Sequence, residues 1–140
     1  MASIKEKLQK IIPQSKQIVI GGEPFEFKRL NQKDYNYIKQ KHGVDFASTN
    51  PQDLKITLDV LSTMIFLSLR KTYSDVTEDD VQEYIMTTDF MTSENLTAAL
   101  AWMQGASHEE VQRQVERVRA DMEKRRREAE QALAEAAKAP

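Results

Sequence analysis

The chain has 140 residues, enough for one domain of modest core plus an appendage. Four glycines and four prolines favour helices over a loop-rich sandwich, and the absence of cysteine excludes disulfides and thiolate metal sites. The net charge of −2 hides an asymmetry: residues 1–50 are +4, residues 51–105 are −6 and residues 106–140 are neutral.

The first stretch, SIKEKLQKIIP, predicts a short helix. Ser3 and Glu6 have the spacing of a capping box, Ile4, Leu8, Ile11 and Ile12 share a face, and Pro13 closes the run. A helix this short is marginal alone, so its stripe must dock on its own domain or on a partner. The lysine-interrupted start lacks the apolar core of a signal peptide. QIVIGGEPFEFKRL then predicts a hairpin turning at Gly21-Gly22, with Ile18 and Ile20 alternating on one strand and Phe25 and Phe27 on the other. A lone Gly-Gly lacks the further glycines and Lys-Ser/Thr of a phosphate loop.

NQKDYNYIKQKHG reads as a helix capped by Asn31 and stopped by Gly43, with Asp34 at the positive end and Lys39, Lys41 and His42 at the negative end. Tyr35 and Ile38 are expected to pack on the hairpin. A long central helix is expected from Gln52 or Asp53, with Leu54, Leu58, Leu61, Ile65 and Leu69 in one stripe widened by Val60, Met64 and Leu67. Its uncharged window VLSTMIFLSL is about half the roughly 20 residues needed to span a bilayer. The window is therefore core, and any surplus face is available to a partner. DVTEDDVQEYI predicts a helix capped by Thr77 and Asp80; its acids lack the spacing and glycine of a calcium loop. TSENLTAALAWMQG predicts another, capped at Thr92 or Ser93 and stopped at Gly105, with Trp102 at the core or domain edge.

From Ser107 the sequence is charged and free of internal glycine or proline. Ser107 and Glu110 form a capping box, and Val111, Val115, Val118 and Met122 repeat at four-three-four spacing, a thin seam of coiled-coil type. The expected architecture is mainly α (α+β): an α+β domain over residues 1–105 with a small N-terminal hairpin packed on helices, and a long projecting helix over residues 106–140. No serine is flanked by the glycines of a nucleophile elbow, and no metal or cofactor motif appears; the expectation is a protein that is not an enzyme and needs no cofactor.

The order of elements in residues 17–105 resembles the tail assembly chaperones of tailed bacteriophages. The hairpin and helix of IGGEPFEFKRLNQKDY lead into the apolar helix, then into a helix carrying Thr77, Glu78, Val81 and Ile85. The resemblance implies a non-enzymatic protein of the host cell cytoplasm that binds the tape-measure protein and recruits tail-tube subunits. It carries over no ligand residue. By apolar spacing, the expected partner-binding residues are Leu61, Ile65, Phe66, Leu69 and Trp102, with Val111, Val115, Val118 and Met122 on the tail. A homo-oligomer fits this picture, whereas a membrane or nucleic acid does not. Two other readings use the same features: a structural or connector component retained in the virion, and a small bacterial adaptor or nucleic-acid-binding regulator working through the basic N-terminal third or Lys124 to Arg127.

Overall fold

A computed structural model describes residues 3–11 and 15–138, with side chains for all of these except 9–11. The first helix, α1, is Ile4–Ile11. Ser3 accepts a hydrogen bond from the Glu6 amide at 3.2 Å, as the capping spacing requires. Ile12 and Pro13 lie outside the described residues, as does the side chain of Ile11.

Strands β1 (Ser15–Ile20) and β2 (Glu23–Lys28) form the antiparallel hairpin. Its two-residue turn needs positive φ at both positions, and Gly21 and Gly22 supply 60° and 83°. Ile18, Ile20 and Phe27 are buried. The outer edge of β2 is closed against further pairing. Pro24 has no N–H, the Glu26 amide donates to the Tyr73 hydroxyl at 3.0 Å, and Ser68 Oγ both accepts from Lys28 N and donates to Lys28 O.

Helix α2 (Gln32–His42) starts in a complete Asn31–Asp34 capping box and ends at left-handed Gly43. Its main neighbour is α3 rather than the hairpin, contrary to the expectation for Tyr35 and Ile38. Ile38 is buried, and Tyr35 stacks on Phe46 at 4.9 Å. Burial, assisted by the Asp34 carboxylate and opposed by Arg29, raises the Tyr35 phenol to about 12. A phenol whose folded pKa lies above its unfolded value favours the folded state at lower pH, and that preference is lost as pH rises from 10 towards 12. In an ultraviolet titration of the native protein, Tyr35 should therefore ionise after an ordinary tyrosine has done so. Tyr35→Phe should remove that late step; an unchanged titration curve would contradict the assignment.

The central helix begins later than expected. Pro51–Asp53 forms a 3₁₀ turn, residues 54–57 are extended, and α3 runs Leu58–Leu69 behind a Thr57 cap. Leu54 and Ile56 still reach the core, but with the alternation of an extended segment. Glu78–Asp80 (α4) opens in the predicted Thr77–Asp80 capping box and continues through a π turn over Val81–Ile85. A 3₁₀ turn at Asp89–Thr92 leads to α5, Glu94–Gln104, capped by Ser93 and ended by left-handed Gly105. The last helix, α6, is His108–Lys138, with the Ser107–Glu110 box at its start.

The fold is thus α+β and mainly helical, with the hairpin near the N-terminus and a long C-terminal helix. The first half of α6 does not project. The short turn at Gly105 lays it against α5, the Pro51–Asp53 turn and α3, where Val111, Val115 and Val118 join the same core as Leu61 and Leu100. The boundary placed at residue 105 therefore falls inside one packed body, and the helix is fully exposed only from Lys124 onward. Buried Gln114 locks this packing: its amide donates to Pro51 O at 2.9 Å, while Arg117 donates to Leu54 O at 2.6 Å. No helix among the described residues is long and apolar enough to cross a membrane.

Candidate functional site

The residues expected to meet a partner do not converge on one surface. Leu61, Ile65, Val111, Val115 and Val118 have no exposed area, and Leu69 has 1%. The apolar faces of the first five are consumed by the protein's own core, so those five cannot form the expected contact surface in this fold. Phe66, Trp102 and Met122 are half-buried on separate parts of the body. Trp102 ties α5 to the hairpin, because its indole N–H donates to Phe27 O at 2.7 Å, and Arg29 lies 4.6 Å over its ring. Met122 lies beside Leu58, Met86 and Arg125.

What the fold does assemble is an open apolar groove of about 290 Å³ between β2, the C-terminal end of α3 and the π turn. Leu69 and Ile85, both nearly buried, form its floor, and Phe25, Tyr73, Val76 and Tyr84 its walls. Tyr73 meets Phe25 edge to face at 6.1 Å, and its hydroxyl is fixed by the Glu26 amide. Val81 closes the widened turn by accepting from the Met86 amide at 3.0 Å. Tyr84, on that turn, is 64% exposed although it borders apolar surface. Asp75 and Asp80 stand at the rim, and no basic side chain lines the groove. Such a site offers contact area to apolar side chains and attraction to neighbouring cations. Its volume suits side chains rather than a cofactor.

Sequence reasoning missed Phe25, Tyr73, Val76 and Tyr84 as surface residues. A signal was present: the segment between α3 and Thr77 is polar except for Tyr73 and Val76, and a solvated loop has no use for an aromatic and a branched aliphatic residue.

A second, larger cleft of about 480 Å³ is open and of mixed polarity, and its lining includes His42, Asp45, Asp59, Val44 and Val60. Its groups are engaged structurally. Hydrogen bonds from Ser48, with Lys39 at 3.3 Å, hold the Asp45 carboxyl below its usual range, and Asp59 pairs with Arg125 at 3.1 Å. His42 Nε2 lies 2.8 Å from Thr63 Oγ1, whose hydroxyl donates to Asp59 O at 3.2 Å. Nε2 is thus engaged by the Thr63 hydroxyl. Among the described residues no cluster of three or more metal-ligating side chains occurs.

No family model, no curated protein and no solved structure matches this chain.

Proposed function

We propose that this protein is a non-enzymatic chaperone of phage tail assembly, which works in the host cytoplasm by holding segments of the helical tape-measure protein in the acid-rimmed groove and assisting the addition of tail-tube subunits. The observation that carries this reading is the groove itself: apolar, flanked by acid and open among the described residues. A long amphipathic client presents recurring apolar side chains beside lysines and arginines, which is the chemistry that Tyr84, Val76 and the Asp75–Asp80 rim accept. The three arginines of the basic run on α6 are spent locally, which favours a protein client over phosphate. Arg126 pairs with Glu123 and Glu130, Arg127 with Glu123, and Arg125 with Asp59 and Asp121.

The test is co-expression with the tape-measure protein of the same phage, followed by affinity capture. Wild-type protein should yield a soluble complex. Tyr84→Ala should weaken it about thirtyfold, the scale of a hot-spot aromatic, while leaving the circular dichroism unchanged because Tyr84 is largely exposed. A client that is captured equally by the Tyr84 variant would remove the groove from the reading. Absence of any complex would remove the chaperone assignment, and recovery of the protein in purified virions would replace it with a structural role.

A further inference from the structure

The molecule carries two unsatisfied surfaces of complementary chemistry. On α1, Ile4 and Leu8 stand one helical turn apart on the same face and are 73% and 56% exposed. Every described side chain of α1, from Ile4 to Leu8, is exposed. Lys5, Lys7 and Lys10 against the single Glu6 give it a charge of +2. The groove is the counterpart, with apolar walls between Asp75 and Asp80 and with Asp79 and Glu83 exposed on the same segment. These four carboxylates form no ion pair among the described residues, whereas neighbouring Glu78 is already taken by Lys41. An apolar stripe edged by lysines and an apolar groove edged by acids fit each other in both shape class and sign.

We propose that α1 of one copy fills the groove of a second copy, with Ile4 and Leu8 against Tyr73, Val76 and Tyr84 and the lysines facing the acidic rim. The occupant is a second copy because, among the described residues, Ile4 and Leu8 of α1 and the groove walls are uncovered at once and carry opposite charge at their edges. The two patches differ, so the contact is closed when each protomer gives one helix and receives one; the reciprocal exchange doubles the area that a single eight-residue helix buries. This pairing stands without the client reading. If the client also uses the groove, self-association and client capture compete.

Analytical ultracentrifugation of the full chain tests the pairing. The wild-type mass should rise with concentration from 16.1 kDa to twice that value, and high salt should lower the association by screening the lysine–carboxylate attraction. Leu8→Asp should remain monomeric throughout with unchanged circular dichroism, since the Leu8 side chain is exposed. Tyr84→Glu should also be monomeric, and mixing it with Leu8→Asp should restore association through the one intact helix–groove pair. A wild-type protein that stays monomeric, a dimer indifferent to Leu8→Asp, or variants that fail to complement each other would overturn the proposal. Tape-measure capture by the Leu8→Asp protein separates the two readings: it should persist or strengthen if the client uses the groove, whatever the fate of the dimer.

Discussion

Val115→Asp is expected to remove a large share of the protein's stability. Val115 has no exposed area and lies where α6 crosses the body, in one core with Val111, Val118, Leu61 and Leu100. A carboxylate there would have no ready partner, because the cation one turn along its own helix, Arg119, is committed to Ser93 O. An unpaired buried charge together with the lost packing costs about 4–5 kcal/mol. A small domain has only about 5–15 kcal/mol in total. Urea denaturation followed by circular dichroism should show a midpoint far below the parental one for this variant. Leu133→Asp, on the exposed distal part of the same helix at 71% exposure, should stay within about 0.5 kcal/mol of the parent. A Val115→Asp protein that unfolds near the parental midpoint would mean that the valine face is free for another chain.

The same valines show how far a sequence can be read. Their four-three-four spacing announces an apolar seam and gives its period correctly, but spacing is silent about what covers the seam. A thin stripe on a charged helix looks like a coiled-coil edge; here α5 and the Pro51–Asp53 turn fill it from the same chain. Local chemistry was more legible. The boxes at Asn31–Asp34, Thr77–Asp80 and Ser107–Glu110 form because each needs only residues three apart. The late start of α3 was hidden because Leu54 and Ile56 suit a helical stripe and an extended strand equally well once both are buried. The groove was hidden for another reason. Its walls come from β2, the loop after α3 and the π turn, and the bond that sets Tyr73 against Glu26 spans 47 positions of sequence. Nothing periodic connects those residues.

Asp34→Ala is expected to destabilise the protein by about 2–4 kcal/mol, because one buried carboxylate joins three elements. It accepts from the Asn31 amide at 2.8 Å, which closes the cap of α2. It pairs with Lys71 just beyond α3, and more loosely with Arg70 at 3.8 Å. Lys71 in turn donates to Arg29 O at 2.8 Å, at the end of the hairpin. Lys71 is partly exposed, so after the substitution its charge would find water, which keeps the cost below that of stranding a fully buried ion. Asp34→Asn separates the two contributions. An amide oxygen can still accept from Asn31 but cannot neutralise Lys71, so this variant should recover about 1 kcal/mol of the loss. The check is a shift of the urea midpoint at unchanged slope, with Lys71→Met completing a double-mutant cycle whose coupling should exceed about 1 kcal/mol. A coupling near zero would mean that the pair seen in the fold contributes nothing beyond the cap. The effect should reach the candidate site as well. Lys71 is two residues from Tyr73, so freeing it loosens the loop that holds the groove wall, and Asp34→Ala should lose affinity for any occupant of the groove even under conditions where the protein remains folded.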